Sequence, residues 1–332
     1  MRYDLVIASA PNHFEMVEHN KELYFKNLPI ERIIVIGNKE GEKYFQHDDR
    51  ITLLDEEKLY PGLGMLSIRY LVEKQGGHMT RSNWYFQQFL KMAYACHCKD
   101  EYYILWDADT VPVRPIELFK EGKPLFSYCE DYFKDYFETL EKLFHGTVCK
   151  QSPHSFIVEH MVIKTEYMKE LIREIEEDET LNGHYFYQKI ISVISREAIK
   201  TAGFSEFETY ANYVLTKHKG AYELRQLKAF RYGLILTGYQ LQPDVIEWLG
   251  KSRDTVSLEH FCRPSIWRAK WLNEKTYHTM TVDDVWEAYQ GSVYQKIDLI
   301  IKYIADKKKR IIYLFTRVPY RIKKFFQKEK SE

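Results

Sequence analysis

Short runs of apolar and β-branched residues alternate along most of the chain with segments in which apolar residues recur every three or four positions. The first pattern is typical of buried strands, and the second is typical of helices that bury one face. Strands are predicted at residues 3–9, 32–37, 50–54, 102–106, 124–128, 156–163, 234–237 and 255–258. Helices are predicted at residues 14–25, 83–96, 165–177, 185–199 and 206–218. This order indicates an α/β protein built on a mainly parallel sheet.

Composition and charge narrow the class of protein. Of the 332 residues, 45% are hydrophobic and 29% are charged, and no stretch approaches the roughly 20 apolar residues that span a bilayer. The chain opens directly on a strand-like run, so we expect no signal peptide. Five cysteines without paired CxxC spacing favour a reducing cytoplasm. Equal counts of 48 basic and 48 acidic residues give no overall field for nucleic acid, so we expect no nucleic-acid partner.

The stretch EYYILWDADTVPVRP delivers two carboxylates, Asp107 and Asp109, to the end of a predicted strand. Ligands of open α/β sheets bind beyond the carboxyl ends of the strands. Two residues that lie two apart on an extended segment point the same way, so both carboxylates could hold one Mg²⁺ or Mn²⁺ ion and, through it, a diphosphate. Alternatively, Asp107 caps the following turn and Asp109 is solvated.

Four stretches, WDADTVP, NWYFQQFLK, SFIVEHMVI and FSEFETYANY, resemble nucleotide-sugar glycosyltransferases of the GT-A fold, nearest to bacterial enzymes of polysaccharide loci. The resemblance covers roughly residues 2–267 and implies a Rossmann-like mixed sheet flanked by helices. It implies that Asp107 faces the ribose or donor sugar, that Ala108 lines the donor site, and that Asp109 binds Mn²⁺ or Mg²⁺. Such a metal stabilises the departing nucleoside diphosphate.

A second segment, SLEHFCRPSIW, is similar to the stretch of His followed by Pro and Trp that ends many GT-A cores. The similarity implies that His260 is the third protein ligand of the metal, beside Asp107 and Asp109. Arg263 is close enough in sequence to contact the diphosphate. The alternatives are a histidine bonded to backbone and an exposed structural arginine.

The helix before the acidic pair carries polar residues among aromatic ones. Trp84, Gln88 and Lys91 share one face at i, i+4 and i+7, and Arg81 precedes the helix. The resemblance implies that Arg81, Gln88 and Lys91 line the donor pocket, where a cation offsets the diphosphate charge. Gln87 is interpreted as part of a solvated face.

Other donor and acceptor contacts are predicted from topology and resemblance. Ala8 and Ser9, at the end of the first strand, would meet the nucleobase or ribose, and Asp55 could accept a uracil N–H. Glu159 and His160 interrupt an apolar strand that resembles the segment under the donor sugar, which implies hydrogen bonds to sugar or acceptor hydroxyls. Alternatively, this is an edge strand with Glu159 pointing outward.

The stretch FSEFETYANY holds two carboxylates in the first turn of a predicted helix, Glu206 and Glu208. Ser205-x-x-Glu208 is a capping box. Helix N-termini opposite the D-x-D motif carry the catalytic carboxylate in many inverting GT-A enzymes, which implies that Glu206 is the general base and Glu208 the cap, or the reverse. We favour Glu206 and an inverting hexosyltransferase over a retaining one.

From Lys302 onward the chain contains 11 basic and 3 acidic residues. Its apolar residues recur at helical spacing, at Ile311, Phe315, Val318, Ile322 and Phe325. Basic residues gather beside this stripe, at Arg310, Arg317, Arg321, Lys324 and Lys328. The pattern predicts a helix that lies on an anionic membrane surface, and packing on the enzyme or a partner helix is the alternative.

These observations predict a catalytic domain at residues 1–280 and a helical extension at 281–332 that is amphipathic and basic from about residue 302. The predicted activity is metal-dependent transfer of a sugar, from a UDP-sugar by preference, to a lipid-linked bacterial surface glycan. The enzyme would be cytoplasmic and bound peripherally to the inner face of the plasma membrane. Two alternatives are a metal-dependent nucleotidyltransferase, although the N-terminus lacks a Gly-rich phosphate loop, and a sugar- or nucleotide-binding module without turnover.

Overall fold

The structure is a computed structural model and describes residues 3–259 and 262–308. By packing, the chain divides into two compact units. The first unit runs to Phe230 and includes the later segment Arg253–Ser257. The second unit is built from Arg231–Ser252 and from the described residues that begin at Leu258. Across the described ranges, no helix has the length and apolar character needed to cross a membrane.

The strands of the described chain lie in the first unit. They are β1 (Tyr3–Ala8), β2 (Ile30–Gly37), β3 (Ile51–Asp55), β4 (Tyr102–Trp106), β5 (Thr110–Pro112), β6 (Phe119–Lys120), β7 (Lys123–Tyr128), β8 (His160–Lys164), β9 (Glu223–Gln226), β10 (Ala229–Phe230) and β11 (Thr255–Ser257). The helices of this unit are α1 (Phe14–Asn27), α2 (Glu42–Phe45), α3 (Met65–Lys74), α4 (Ser82–Ala93), α5 (Lys134–Leu143), α6 (Thr165–Glu177), α7 (Phe186–Val193) and α8 (Glu206–Lys217). Single 3₁₀ turns occur at Pro11–His13, Lys39–Gly41, Met79–Arg81, Tyr94–Cys96 and Ala198–Lys200.

The main sheet has the strand order β3-β2-β1-β4-β8. The first four strands are parallel, and β8 pairs with β4 in the antiparallel sense. The chain steps from β1 to β2 in one direction and returns from β3 to β4 in the other, so right-handed crossovers place α1 and α2 on one face and α3 and α4 on the opposite face. This mixed sheet flanked by helices confirms the fold class expected from the sequence.

The central strands read as continuous apolar runs because both faces of the sheet are covered. Leu5, Val6 and Ile7 of β1 are fully buried, as are Ile104 and Trp106 of β4. The same burial explains why the apolar runs located these strands well from the sequence.

Two three-stranded sheets complete the first unit, in the orders β10-β11-β5 and β6-β7-β9. Strand β5 begins directly after Asp109 and pairs with β11 in the antiparallel sense. The segment that carries both aspartates is therefore held at one end by the main sheet and at the other by a second sheet.

The structure corrects several predicted elements. Residues 234–237 form a helix rather than a strand, because a short apolar run does not distinguish the two. The predicted strand at 156–163 starts only at His160, since the Phe156 amide donates to the Glu208 carboxylate instead of to a strand. The predicted helix at 185–199 ends at Val193, where Ile194 adopts an extended conformation. Helices α3 and α5 of the first unit are both absent from the predicted helices.

The second unit is helical. Its elements are α9 (Gly233–Thr237), α10 (Pro243–Gly250), a 3₁₀ turn at Arg268–Lys270, α11 (Glu274–Thr279), α12 (Val282–Tyr289) and a last helix, α13, at residues 293–308. The Trp248 indole N–H donates to the Met280 carbonyl at 2.8 Å, and the Trp271 indole N–H donates to the Leu236 carbonyl at 3.3 Å. The functional boundary near Met280 stays a prediction. Residues 309–332, which carry most of the predicted amphipathic segment, lie outside the described residues.

Candidate active site

The carboxyl edge of the main sheet reverses its strand order between β1 and β4, which is where open α/β sheets bind ligands. Ala8 and Ser9 lie at the end of β1, and Asp107 follows the end of β4. The Asp107 amide donates to the Glu159 carbonyl at 2.8 Å, which joins the ends of β4 and β8. The predicted acidic pair therefore starts at the switch point of the sheet.

Asp107 and Asp109 sit on a tight turn and not on the extended segment that we expected. The Thr110 amide closes this turn by donating to the Asp107 carbonyl at 3.1 Å. The Thr110 carbonyl in turn accepts from the Trp106 indole at 2.6 Å and from the Tyr24 hydroxyl at 3.1 Å. The turn, anchored from beneath by two buried aromatic side chains, is what presents the two carboxylates.

Both aspartates are only partly buried. The Asp107 side chain is 28% exposed. Burial raises the pKa of the Tyr24 hydroxyl, and the charge of Asp109 raises it further, so Asp109 lies near that ring. Ala108 between them is buried.

A buried lysine joins the acidic turn to helix α8. The Lys91 Nζ atom of α4 donates to Asp107 Oδ1 at 2.5 Å and to Glu206 Oε1 at 2.7 Å. The Lys91 and Glu206 side chains are 4% and 5% exposed, so Asp107 is the member of this group that is open to solvent. We name Lys91, Asp107 and Glu206 the lysine–carboxylate triad.

In this triad, charge pairing opposes the effect of burial on the pKa values of Lys91 and Glu206. Burial acts to lower the pKa of Lys91, but the carboxylates of Asp107 and Glu206 outweigh it and raise that pKa. Burial raises the pKa of Glu206, and the Lys91 ammonium acts against that rise. Lys91 is thus a fixed buried cation held between two carboxylates.

The second carboxylate of α8, Glu208, makes contacts that stabilise the fold. It accepts from the Ser155 hydroxyl, from the Phe156 amide at 2.8 Å and from the Asn212 side-chain amide at 3.0 Å. Ser205 caps the helix by accepting from the Glu208 amide at 3.2 Å, as expected for half of a capping box. Glu208 therefore ties α8 to the segment before β8, and burial raises its pKa.

The predicted donor-pocket residues of α4 fall into different environments. Gln88 is buried and accepts from the Glu206 amide at 3.1 Å. Gln87, interpreted from the sequence as solvated, instead donates to the Ala8 carbonyl at 2.9 Å, because α4 packs on β1. Arg81 lies over the Trp84 ring, 4.6 Å from its centroid.

Ser9 is buried at the end of β1, and its amide donates to the Ile36 carbonyl at 2.9 Å. Asp55 is exposed at the end of β3, pairs with Lys58 at 3.0 Å and accepts from the Glu57 amide at 3.1 Å. Both residues are at the edge where the sequence analysis expected them, and their donor contacts stay predictions.

His160 and Glu159 lie behind the acidic turn. The His160 ring is 4.8 Å from the Trp106 ring, and its Nε2 atom is 3.0 Å from the Ser127 hydroxyl. Burial, aided by the charge of Arg225, lowers the pKa of His160 to about 3, so the ring is neutral. Glu159 is also buried. These contacts place His160 in the interior, and the predicted sugar contacts of both residues are untested.

The predicted metal ligands are Asp107, Asp109 and His260. The two carboxylates offer the hard oxygen donors that Mn²⁺ and Mg²⁺ prefer, and the turn holds them together. His260 lies outside the described residues, and within those residues no three His, Cys, Asp or Glu side chains form a ligand group. Arg263 belongs to the second unit and donates to Asp306 at 2.9 Å.

Residues 20–241 match the model of a "Family of unknown function (DUF6492)". Because this match covers more than half of the chain, the protein belongs to that family. No curated protein matches the chain.

Several solved structures resemble the chain, and three glycosyltransferases are among them. The apo glycosyltransferase GlyE of Streptococcus pneumoniae TIGR4 is 10% identical, with a TM-score of 0.36, 92% of this chain covered and 64% of that one. The bifunctional glycosyltransferase WbbM, in its apo form, is 12% identical, with a TM-score of 0.40, 90% of this chain covered and 51% of that one. The galactosyltransferase LgtC, solved with donor and acceptor sugar analogs, is 13% identical, with a TM-score of 0.37, 86% of this chain covered and 99% of that one.

The chain spans 64% and 51% of the length of GlyE and WbbM. Likenesses this distant carry no argument about donor, acceptor or mechanism, so the functional argument rests on the site itself.

Proposed function

We propose that this protein is a metal-dependent glycosyltransferase that moves a sugar from a nucleoside-diphosphate donor, by preference a UDP-sugar, to a growing lipid-linked bacterial surface glycan. One observation carries the proposal. At the switch point of the sheet, a buried Lys91 orients the solvent-open carboxylate of Asp107, and Asp109 follows on the same anchored turn. A nucleotide bound across the ends of β1 to β3 would bring its diphosphate to this turn.

The two aspartates have separate tasks. Asp107, held by Lys91, is oriented to accept hydrogen bonds from ribose or donor-sugar hydroxyls. Asp109 and Asp107, with His260 as the predicted third ligand, would hold a Mn²⁺ or Mg²⁺ ion that neutralises charge on the leaving diphosphate. The lysine–carboxylate triad keeps the turn in one position before the donor arrives, which lowers the cost of ordering it on binding.

In the transfer itself, the acceptor hydroxyl oxygen bonds to the anomeric carbon while the bond from that carbon to the diphosphate oxygen breaks. The nucleoside diphosphate leaves with the electron pair, and the hydroxyl proton passes to a base. Glu206 remains our candidate base for an inverting reaction. Its burial and its contact with Lys91 support a second role, in which it fixes Lys91 against Asp107.

A panel of nucleotide sugars incubated with the protein and Mn²⁺ tests this function. Release of nucleoside diphosphate supports glycosyl transfer or its hydrolytic side reaction. Release of pyrophosphate would instead support a nucleotidyltransferase, and binding without any product would support a binding module. Asp109→Ala is the matched variant, because a partly exposed turn residue can be truncated with little loss of packing.

Membrane association is the second part of the proposal, and α13 supports it. The helix exposes large apolar side chains, at Val293, Leu299, Ile300, Tyr303 and Ile304. Elsewhere on the helix, Asp298 accepts from the Tyr289 hydroxyl at 2.9 Å and Asp306 accepts from Arg263. At about 100° per residue, Lys296 and Lys307 fall within the same arc as the exposed apolar residues, where their charged ends would meet an anionic lipid surface.

Sedimentation with anionic vesicles tests this part on the full chain. We expect the protein to pellet at low salt and to be released as salt rises, and we expect Leu299→Glu combined with Ile300→Glu to stay in solution. Leu66→Glu is the control, because Leu66 is 79% exposed on α3 in the other unit. Equal pelleting of the double variant and the wild type would assign membrane binding elsewhere.

A further inference from the structure

Four aromatic side chains pack together near the candidate site, and nothing in the reaction described so far uses them. Tyr132 and Phe133 are exposed, Trp84 is half-buried, and Tyr136 is buried. Trp84, in the first turn of α4, stacks on Tyr136 of α5 with ring centroids 6.4 Å apart and an interplanar angle of 21°. Phe133 contacts Tyr136 at 5.4 Å, and Tyr132 stacks on Phe137 at 5.3 Å. We name Trp84, Tyr132, Phe133 and Tyr136 the aromatic ledge.

The outer part of the ledge is open to solvent. Tyr132 is 60% exposed and Phe133 is 46% exposed, and the two are consecutive in the chain just before α5. A single exposed aromatic residue needs no explanation, but adjacent exposed rings that continue into a stacked pair form a patch of the kind that marks binding sites.

The inner end of the ledge lies on the same helix as the lysine of the lysine–carboxylate triad. Trp84 and Lys91 lie on one face of α4, seven residues apart, which corresponds to about 10 Å along the helix. Burial raises the pKa of Tyr136, and the charge of Glu206 adds to that rise while Arg81 acts against it. Tyr136 is therefore close enough to both Arg81 and Glu206 to feel their charges.

Polar side chains lie next to the ledge in space or in sequence. Arg81 lies over Trp84, and Glu130, which directly precedes Asp131 and the ledge residue Tyr132, is 3.0 Å from His154. A purely apolar partner would gain no hydrogen bonds from these polar side chains. A sugar ring offers both C–H faces, which pack on aromatic rings, and hydroxyl edges, which bond to charged side chains.

We infer that the aromatic ledge binds a sugar ring of the glycan acceptor. The inference rests on the proposed transferase function and names the part of the site that function left open. The distance of about 10 Å between Trp84 and Lys91 lets a short oligosaccharide lie on the ledge while its terminal hydroxyl reaches the acidic turn. Length and ring orientation of the acceptor would then be selected by the ledge, and the donor by the turn.

Saccharide binding to the full-length protein tests the inference directly. The probes are the octyl glycosides of glucose, galactose and N-acetylglucosamine, with binding followed by saturation-transfer NMR. We expect at least one probe to bind the wild type, and Tyr132→Ala and Phe133→Ala to weaken its binding roughly tenfold, as expected for one lost aromatic contact. Phe133→Tyr should retain binding, since it keeps the ring.

The control is Tyr70→Ala, because Tyr70 is 64% exposed on α3 and is not part of the ledge. Unfolding midpoints verify that each variant is folded. Binding by the ledge variants equal to wild type, or no binding of any probe to wild type, would overturn the inference.

The donor panel separates this inference from the proposed function. If the wild type releases nucleoside diphosphate and the ledge variants bind sugars normally, the proposed transferase function is supported and sugar binding by the ledge is contradicted. If sugar binding depends on the ledge but no donor is turned over, sugar binding by the ledge is supported and the transferase function is contradicted.

Discussion

Replacing His160 with glutamine should change how the stability of the protein depends on pH. His160 is buried beside Trp106 and Ser127, and its pKa is lowered from 6.5 to about 3. The unfolded chain therefore binds a proton at this histidine below pH 6.5, while the folded chain does not until about pH 3. The free energy of unfolding contains a His160 contribution that is complete above pH 6.5 and is lost progressively as pH falls to about 3.

The size of this effect follows from the two pKa values. A pH of 5 is about 1.5 pH units below the pKa of the unfolded histidine. The His160 contribution to the free energy of unfolding is therefore about 2 kcal/mol lower at pH 5 than at pH 7.5. At pH 3, where the folded histidine is itself about half protonated, the loss reaches roughly 4 kcal/mol, close to the lower end of the stability of a small domain. Solvent screening does not reduce these free-energy changes, because the His160 side chain is only 3% exposed.

Urea unfolding of wild type and His160→Gln at a series of pH values measures this. The lost ring contact with Trp106 shifts the variant by the same amount at every pH, and the acidic residues titrate in both proteins. The difference between the two curves should therefore shrink by about 2 kcal/mol between pH 7.5 and pH 5. Parallel curves over this range would refute the assignment of a neutral buried His160.

Three further substitutions test the groups around the acidic turn. Lys91→Met leaves the carboxylates of Asp107 and Glu206 without their buried cation. We expect urea unfolding to show a loss of about 3–5 kcal/mol of stability, part of which is recovered when Glu206→Gln is added. A loss below about 1 kcal/mol would contradict the buried pairing. Glu206→Gln should keep nucleotide affinity and lose sugar transfer, as measured by calorimetry and product release. Glu208→Gln should instead cost about 1–3 kcal/mol of stability through weakened bonds to Ser155 and the Phe156 amide, with transfer retained. If Glu206→Gln is fully active and folded Glu208→Gln is inactive, the roles of the two carboxylates are reversed.

The sequence predicted much of the sheet because buried parallel strands are unbroken apolar runs. Strand β4 at Tyr102–Trp106 and helix α6 at Thr165–Glu177 begin and end at the predicted residues. The prediction failed at residues 234–237, where four apolar or β-branched positions suit a helix as well as a strand. The local sequence pattern was sufficient to predict a strand where both faces of that strand are buried.

The candidate site was predictable only in part. The position of Asp107 and Asp109 follows from the strand before them, but the turn that presents them depends on Tyr24 and Trp106, which bond to the Thr110 carbonyl. Lys91 was recognised as a polar residue on an aromatic helix face. Its pairing with Asp107 and Glu206 was not predicted, because contacts between elements that are distant in sequence leave no local sequence pattern.

The bond from Gln87 to the end of β1 was missed for the same reason. A glutamine on a helix surface looks the same in the sequence whether it meets water or a strand end. The aromatic ledge was also hidden, since Trp84 and Tyr136 lie on helices separated by β4 to β7. Side-chain contacts between elements far apart in sequence had to come from the structure.

Calorimetric titration of UDP into the protein, with and without Mn²⁺, tests the central claim most directly. We expect Mn²⁺ to strengthen UDP binding to wild type by at least about tenfold, equivalent to about 1.4 kcal/mol. We expect Asp109→Ala to remove this gain in affinity while the variant keeps the unfolding transition of the wild type. UDP affinity that is the same with and without Mn²⁺ in wild type, or a gain that survives in Asp109→Ala, would contradict a metal-assisted diphosphate site at the acidic turn.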